Sequence, residues 1–341
     1  MKQELLSIVV PAYNEQEVLP EFHRRVSDVL SGIAMDAEFV YVNDGSSDNT
    51  LQVLHGLSEK DDRVAVVDLS RNFGKEIALT AGLHKANGDA VVVIDADLQD
   101  PPELIPQLIA EWKNGYDVVY AKRVARSGET MLKKATAHAF YRLMQHVSRV
   151  RIPEDTGDFR LLSRRAVNAL NSLNEYHRFM KGLFAWIGYP QKAITYERDP
   201  RHAGQTKWNY WKLWNFAIEG ITSFTTAPLR IATYIGLLTA VGAFVYGTYM
   251  IVDTLLYGNP VAGYPSLIVI ILFLGGVQLT AIGVIGEYLG RIFNETKQRP
   301  LYFVNEYRPS RQVMASHQPQ DLQQNQQVQQ KVVEKISSQR S

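Results

Sequence analysis

Two acidic residues separated by one alanine, Asp95-Ala96-Asp97, come directly after the apolar run of residues 90–94. A short apolar run rich in valine and isoleucine is typical of a buried strand, so the two carboxylates stand where that strand ends. Gln99 continues the same alternate spacing. Divalent ions such as Mg²⁺ prefer oxygen ligands, usually one or two carboxylates together with substrate phosphates and water. The pattern therefore predicts a Mg²⁺ or Mn²⁺ site that holds a nucleotide diphosphate.

Apolar runs of this kind recur through the first third of the chain, with helical stretches between them. They occupy residues 5–10, 38–42, 64–69, 90–94 and 117–121. Continuous apolarity indicates strands buried on both faces, so we predict an α/β fold with a Rossmann-like, mostly parallel sheet. Ligands of such sheets bind beyond the carboxyl ends of the strands. Because polar clusters stand at four of these ends, we expect one shared site built from residues 11–15, 43–46, 70–75 and 95–97.

The overall composition disfavours several classes of protein. A chain of 341 residues with an apolar fraction of 46% is expected to form two or more structural units. The formal net charge of +1 disfavours a globally basic protein that binds nucleic acid. The absence of cysteine excludes disulfides, thiolate catalysis and Cys-ligated metal centres. Neither glycine-rich phosphate loop pattern follows the first strand, which disfavours kinases and dinucleotide dehydrogenases.

Two long apolar segments, residues 231–257 and 264–289, each exceed the roughly 20 residues that a helix needs to cross a bilayer. We predict a transmembrane hairpin; two buried helices of a soluble core are the less favoured alternative. The link between the segments carries no charge, whereas Arg230 precedes the first segment and Arg291 follows the second. By the positive-inside rule, both termini and the N-terminal domain should then be cytoplasmic.

Two further segments, between the sheet domain and the hairpin, have amphipathic character. Residues 130–147 suit either a helix on the membrane surface or an ordinary surface helix packed on the sheet. Residues 208–226 carry tryptophans at helical spacing, which favours an interfacial helix. The cations best placed by sequence to bind an acceptor phosphate near the membrane are Arg123, Lys133 and Lys134.

The chain thus divides into three parts. Residues 1–228 form a cytoplasmic domain with its juxtamembrane helices, residues 229–290 form the hairpin, and residues 291–341 form a cytoplasmic C-terminal segment. Beyond residue 307 the sequence is rich in Gln and Ser, which predicts a flexible tail.

Several of these motifs together resemble the family 2 glycosyltransferases with the GT-A fold. The resemblance rests on Pro-Ala-Tyr-Asn-Glu at 11–15, Asn-Asp-Gly-Ser-Ser-Asp at 43–48, the segment 95–103 and Gly-Asp-Phe-Arg at 157–160. Residues 71–76, 178–186 and 204–208 more closely resemble the polyprenyl-phosphate glycosyltransferases. These include the bactoprenol (undecaprenyl-phosphate) glucosyltransferases of O-antigen modification and, more distantly, dolichol-phosphate mannose synthase. The resemblance extends from about residue 5 to residue 304.

The resemblance implies a nucleotide sugar donor, UDP-glucose being favoured, and a polyprenyl phosphate acceptor at a bacterial inner membrane. It implies a homo-oligomer such as a tetramer. The implied nucleotide-sugar-binding residues are Pro11, Tyr13, Glu15, Asp44, Arg71, Lys75, Asp95, Ala96 and Lys207. The implied metal ligands are Asp95, Asp97 and Gln99, and the implied catalytic residues are Asp97 and Asp158.

The role of Asp158 stays open at this point. The family's usual assignment is a general base, but a lipid phosphate is already anionic near neutral pH because its second pKa is near ~6. Asp158 would then orient the acceptor or the sugar, and a purely structural contact with Arg160 is a third interpretation. Attack opposite the leaving group would invert the anomeric centre and give a β-linked product from an α-linked donor.

Two other functions compete with this prediction. The first is a translocator or channel for lipid-linked sugars with a nucleotide-sensing domain, although two helices without polar faces offer little for a pathway. The second is a processive polysaccharide synthase, which usually has more membrane helices and a Gln-x-x-Arg-Trp motif that is missing here. No motif separates glucose from mannose, galactose or an aminosugar as the transferred sugar.

Overall fold

The computed structural model describes residues 3–123, 156–173, 175–176, 178–196, 227–257 and 263–314. Both predicted amphipathic segments, 130–147 and 208–226, lie outside these ranges, and so do Lys133, Lys134 and Lys207. The strands are β1 Leu5–Ala12, β2 Asp36–Asn43, β3 Val64–Leu69, β4 Ala90–Val93, β5 Val118–Arg123, β6 Thr156–Ser163, β7 Gln191–Tyr196 and β8 Val304–Arg308. The helices are α1 Leu19–Ser31, α2 Thr50–Lys60, α3 Lys75–Lys85, α4 Ile105–Lys113, α5 Arg164–Asn171, α6 Met180–Trp186, α7 Ala227–Tyr257 and α8 Tyr264–Thr296.

The strands form one sheet in the order β7-β5-β6-β4-β1-β2-β3-β8. Four of its pairings are parallel, namely β1 with β2, β1 with β4, β2 with β3 and β5 with β7. Strand β6 runs antiparallel between β4 and β5, and β8 runs antiparallel to β3 at the edge. The predicted α/β fold with a mostly parallel sheet is confirmed, and the five predicted apolar runs correspond to β1 to β5.

Both faces of the sheet are covered by helices, as continuous apolarity predicts. On one face, Leu6 and Ile8 of β1 pack with α1, α2 and α4. On the other face, Val9 packs with α3, α5 and α6. Helix α3 lies especially close to the sheet, because a Cβ at Gly82 would meet the Val9 side chain at 2.4 Å. This close packing fixes the position of α3, whose first residue is Lys75.

Helices α7 and α8 are long and apolar enough to cross a membrane, judged by length and composition. The candidate spans are Ile231–Tyr249 and Phe273–Thr296, and no part of either is buried inside the protein. Such exposure disagrees with the alternative of two buried helices in a soluble core, because apolar side chains such as Leu238 would face water at 75% exposure. Helix α8 continues seven residues past the predicted end at 289, and Glu287 pairs with Arg291 at 3.1 Å along it.

The segment after α8 returns to the sheet, and its contacts continue to residue 314, past residue 307 where the sequence predicts that the flexible tail begins. Strand β8 pairs with β3 up to Arg308, Ser310 is 2% exposed, and its hydroxyl donates to the Asp62 carbonyl at 3.0 Å. Arg311 pairs with Asp62 at 2.9 Å. These contacts order residues 308–314 although the segment is polar, because its polar groups bond to the sheet edge and to Asp62. The Gln-rich residues 315–341 are not among the described ones.

Candidate active site

A lysine bridges two carboxylates at the carboxyl end of the sheet. The Lys75 ammonium, at the start of α3, donates to Asp95 Oδ2 at 2.7 Å and to Asp158 Oδ2 at 2.5 Å. Asp95 follows β4, and Asp158 lies in the antiparallel strand β6 that pairs with β4. Lys75 is 46% exposed at its side chain, Asp95 is 27% exposed and Asp158 is 10% exposed, so the bridge is partly open to solvent at this end of the sheet.

The bridge controls the charge of both acids. Burial alone would raise the pKa of Asp158, but the charges of Lys75 and Lys181 and the hydrogen bond from Lys75 together hold it well below its ordinary value. Burial raises the pKa of Asp95, and the charge of Lys75 opposes this rise. Burial would lower the pKa of Lys75, yet Asp95 and Asp158 raise it above its ordinary value. Asp158 is therefore ionised at neutral pH, and Lys75 is protonated.

A third carboxylate, Asp44 after β2, organises the loop in front of α3. Its two oxygens accept hydrogen bonds from the backbone N–H groups of Phe73 at 2.7 Å and Gly74 at 2.9 Å. Burial raises the pKa of Asp44, and these two hydrogen bonds oppose the rise. Gly45 makes the close approach possible, since its φ is +60° and a Cβ there would lie 2.4 Å from the Asn72 nitrogen. The loop of residues 70–75 is thus held against the end of β2.

The turn after β1 joins the same edge. Asn14 adopts a left-handed φ of 56°, and its side-chain oxygen accepts from the Ser47 N–H at 2.8 Å. The Asn14 N–H in turn donates to the Ser46 hydroxyl at 3.0 Å, and the Glu15 N–H donates to Thr50 Oγ1 at 2.9 Å. All four polar clusters predicted from the sequence are therefore connected, because the β1 turn contacts the β2 turn, Asp44 holds the β3 loop, and Lys75 reaches Asp95.

The chain turns sharply around Asp97. Strand β4 ends at Val93, and Leu98 adopts φ 56°, a left-handed conformation that is costly for a leucine. The Gln99 N–H donates to Asp97 Oδ1 at 3.1 Å. Asp100 accepts a short hydrogen bond from the hydroxyl of Tyr196 at the end of β7. These contacts fix a strained turn that presents the partly exposed carboxylates of Asp95 and Asp97 while Gln99 is 7% exposed.

Charged residues that sequence reasoning did not assign lie behind the lysine bridge. Burial, followed by the charge of Asp158, raises the pKa of Glu76 to about 7. Burial lowers the pKa of Arg160 to about 10, and its guanidinium lies 3.7 Å from the centroid of the Phe184 ring. Lys181 on α6 interacts electrostatically with Asp158 and Glu76, and burial lowers its pKa. In the sequence these three residues stand out only because they lie within the motifs at 71–76, 157–160 and 178–186.

The acidic side chains suit a metal that takes most of its ligands from substrate and water. Among residues the structure describes, no group of three or more His, Asp or Glu side chains could hold an ion by itself. One or two carboxylates with phosphate oxygens and water are the usual Mg²⁺ arrangement, which Asp95 and Asp97 can supply. Among the residues that the structure describes, Asp158 Oδ1 is buried and accepts no hydrogen bond, so this acid keeps one unused acceptor.

The predicted site residues fall into three groups. Asp44, Lys75, Asp95 and Asp158 belong to the contact network described above, and the Arg71 guanidinium lies 3.9 Å from the Phe73 ring centroid in the same loop. The residues that lie at the ends of β1 and β4, outside the contacts of Lys75 and Asp44, are Pro11, Tyr13, Glu15, Ala96, Asp97 and Gln99. Arg123 ends β5, but its side chain is not described, and Lys133, Lys134 and Lys207 lie outside the described ranges.

Comparisons with known proteins agree with this architecture. Residues 7–170 match the family model of glycosyl transferase family 2, and residues 227–292 match the model of the GtrB C-terminal hairpin. The bactoprenol glucosyl transferase of Shigella phage SfV is 52% identical over 88% of this chain and 97% of its own length. A prophage bactoprenol glucosyl transferase homolog of Escherichia coli K12 is 50% identical over 88% and 98%. An uncharacterized glycosyltransferase of Synechocystis is 52% identical over 88% and 95%.

Solved structures give a weaker likeness. Glucosyl-3-phosphoglycerate synthase from Mycobacterium tuberculosis, crystallised with Mn²⁺, UDP and phosphoglyceric acid, is 18% identical. The match covers 64% of this chain and 76% of that one, with a TM-score of 0.43. A likeness at this level carries no argument about the ligands of the present chain.

Proposed function

The chain belongs to glycosyl transferase family 2 and is a glycosyltransferase, and from this premise we propose that it transfers a hexose from a nucleotide sugar to a polyprenyl phosphate. The observation that carries the proposal is the meeting of four strand-end clusters at one edge of a sheet whose chain continues into an apolar helical hairpin. The sheet edge suits a nucleotide diphosphate and the hairpin suits a lipid. We favour UDP-glucose and undecaprenyl phosphate because several relatives that cover 88% of this chain are named bactoprenol glucosyl transferases.

In the proposed reaction, a phosphate oxygen of the lipid attacks the anomeric carbon from the face opposite the diphosphate. The new bond joins that carbon to the lipid phosphate, the bond to the diphosphate oxygen breaks, and UDP leaves with the electron pair. An α-linked donor gives a β-linked lipid product. No proton must be removed from the nucleophile, because a phosphate monoester is already ionised near neutral pH.

Asp158 suits orientation better than proton abstraction. Lys75 and Lys181 outweigh the effect of burial and hold its pKa well below the ordinary value, which makes the carboxylate a weak base. Its other oxygen, Oδ1, is buried and accepts no hydrogen bond from the described residues, which leaves the carboxylate one spare acceptor. We therefore assign Asp158 to the positioning of the sugar or the acceptor, with Lys75 as the cation that keeps it ionised and in place.

Donor binding is assigned to the other strand ends. Pro11, Tyr13, Glu15, Asp44 and Arg71 would surround the nucleoside, with Ala96 beside the sugar, and Lys207 would reach the diphosphate. Asp95 and Asp97 would hold Mg²⁺ or Mn²⁺, with Gln99 as a further ligand. When bound, such an ion stabilises the negative charge that develops on a departing diphosphate.

The acceptor phosphate would be bound by Arg123, Lys133 and Lys134 near the membrane surface. We propose a bacterial inner-membrane protein with the sheet domain and both termini on the cytoplasmic side, and a homo-oligomer such as a tetramer. The pairing of β8 with β3 supports this topology, because the segments before and after the hairpin must lie on the same side of the membrane. The hairpin then crosses the membrane an even number of times.

The test uses the full chain in membranes with radiolabelled UDP-glucose and undecaprenyl phosphate, and mass spectrometry of the product. We expect a singly glycosylated lipid phosphate whose formation stops with EDTA and with Asp97→Ala. Asp28→Ala is the matched control, because Asp28 is a solvent-facing acid with 66% exposure that pairs only along α1 with Arg24. Unchanged synthesis in Asp97→Ala would contradict the metal site, and a labelled product from GDP-mannose but not UDP-glucose would contradict the donor.

A further inference from the structure

The strap, residues 302–314, connects the membrane hairpin to the edge of the sheet where the donor would bind. Strand β8 of the strap pairs antiparallel with β3, and the Phe303 carbonyl accepts from the Ser70 N–H at 3.0 Å. Ser70 is the first residue of the loop that ends in Lys75. The strap therefore contacts the beginning of the loop of residues 70–75, and Asp44 contacts its end.

A buried carboxylate links the strap to the turn after β2. Asp68, at 4% exposure, accepts from Asn305 Nδ2 of the strap at 2.8 Å and from Asn43 Nδ2 at 2.7 Å. Asn43 is 2% exposed, and its side-chain oxygen accepts from the Ser46 N–H at 3.3 Å. Because the Asp68 carboxylate accepts from the Asn43 amide, and the oxygen of that amide accepts from Ser46, the orientation of Asn43 depends on the orientation of Asp68.

The strap also contacts the C-terminal end of α3, opposite the end that begins with Lys75. Tyr302 is hydrogen-bonded to His84 at 2.8 Å, and the Lys85 ammonium lies 4.6 Å from the centroid of the Tyr307 ring. His84 and Lys85 are the last residues of the helix that begins with Lys75. One segment thus contacts the loop before α3 and the far end of α3, and it is linked through Asp68 and Asn43 to the turn that carries Asp44.

We propose that Asp68 and Asn305 are positioning residues for the donor nucleotide, through which the strap after the hairpin sets the geometry of the nucleoside-binding turns. The effect of Asp68 and Asn305 on the nucleoside-binding turns passes through Asn43 and the Ser70 backbone. The inference rests on the proposed function, because it assigns the turns at Asp44 and Arg71 to the nucleotide. It predicts an effect on donor binding and none on lipid binding.

The exchange of the two polar groups tests the relay. Asp68→Asn turns one acceptor oxygen into a donor that faces the Asn305 amide, and Asn305→Asp places two carboxylates against each other. Each single variant of the full chain should raise the KM for UDP-glucose and the Kd for UDP about tenfold, the loss expected for one hydrogen bond to a charged group. The double variant restores a donor facing an acceptor with the roles reversed, so it should recover most of this loss. Asn305→Ala is the milder variant should either single fail to fold.

Arg311→Ala is the matched control within the strap. Arg311 holds the far end of the strap through an exposed ion pair with Asp62 and a hydrogen bond to the Ser58 carbonyl, without contacting Asp68. It should leave the KM for UDP-glucose within twofold of the wild-type value. The KM for undecaprenyl phosphate and the kcat should stay within twofold in all folded variants.

The outcomes separate the strap proposal from the proposed function. A wild-type protein that binds no nucleoside diphosphate overturns the proposed function, and the strap proposal with it. Wild-type binding of UDP with equal binding by Asp68→Asn, Asn305→Asp and Asn305→Ala overturns only the strap proposal. A lower melting temperature with equal losses in donor KM, lipid KM and kcat also overturns it, because that pattern indicates a purely structural role.

Discussion

Replacing Lys75 with methionine removes the cation between Asp95 and Asp158 while keeping most of the side-chain volume. Two charge-assisted hydrogen bonds disappear, each worth roughly 1.5–3 kcal/mol when well buried. Because Lys75 is 46% exposed, solvent screens the interaction, and we halve the sum to about 2 kcal/mol. If the bridge orders the site in the transition state, this loss lowers kcat/KM about 30-fold.

The same substitution should change the pH dependence. In the wild type, Lys75 and Lys181 hold the pKa of Asp158 below its ordinary value, so Asp158 stays ionised and gives kcat/KM no acidic limb above pH about 5. Without Lys75, burial dominates and raises the pKa of Asp158. Lowering the pH then protonates the acid, so kcat/KM of Lys75→Met should fall as the pH drops from about 7 to 5.

The assay is the initial rate of lipid glycosylation over that pH range with both substrates varied. Lys75→Arg keeps the charge and should show no acidic limb, whatever its rate. Lys60→Met is the control, because Lys60 is an exposed lysine at the end of α2. A Lys75→Met enzyme with kcat/KM within twofold of wild type and an unchanged pH profile would refute the reasoning.

Three other perturbations follow from the same geometry. Gly45→Ala should lower the melting temperature and raise the donor KM severalfold, because a Cβ at this position would lie 2.4 Å from the Asn72 nitrogen. Gly56→Ala is the control and should leave the donor KM unchanged, because a Cβ there would meet nothing within 4 Å; equal behaviour of the two variants would argue against the close approach at Gly45. Burial and Asp158 raise the pKa of Glu76 to about 7 from 4.5, so the folded state binds the extra proton and stability should fall as the pH rises from about 4.5 to 7, by roughly 3 kcal/mol at most. Denaturant titrations should show a smaller fall in Glu76→Gln, and identical pH slopes would contradict the assignment. Removal of divalent ions should abolish transfer, and Mn²⁺ or Mg²⁺ should restore it in the wild type but not in Asp97→Ala; full activity in EDTA would exclude a required ion.

The sequence predicts the part of the fold that depends on continuous apolarity. Strands β1 to β5 are buried runs of valine, isoleucine and alanine, and each is visible without knowledge of its neighbours. The rule that ligands collect at the carboxyl ends of parallel strands also correctly joins the four polar clusters. Strand β6 is different, because Asp158 and Arg160 are buried polar residues within it. Such a strand lacks an apolar signal, and its burial depends on partners elsewhere in the chain.

The contacts of the site were less predictable than its location. Lys75 pairs with acids 20 and 83 residues away, and no periodic pattern connects residues at such distances. The sequence predicts a flexible tail after residue 307 because the composition there is rich in Gln and Ser, whereas the strap is ordered up to residue 314. Its order comes from backbone pairing with β3 and from Asp68, which is 237 residues from Asn305. A local composition rule cannot anticipate stabilisation by such a distant partner.

The antiparallel pairing of β8 with β3 also dictates an order of assembly. During synthesis, the ribosome releases β3 long before β8, so the outer edge of β3 has no strand partner until both hairpin helices have left the exit tunnel. A nascent chain can bury its core around β1 to β4 at an early stage, but its outermost ladder waits for the hydrophobic helices to be delivered to their final environment. Completion of this sheet edge therefore follows release of the two helices, and a chain truncated within the hairpin should lack β8 and the outer ladder of β3.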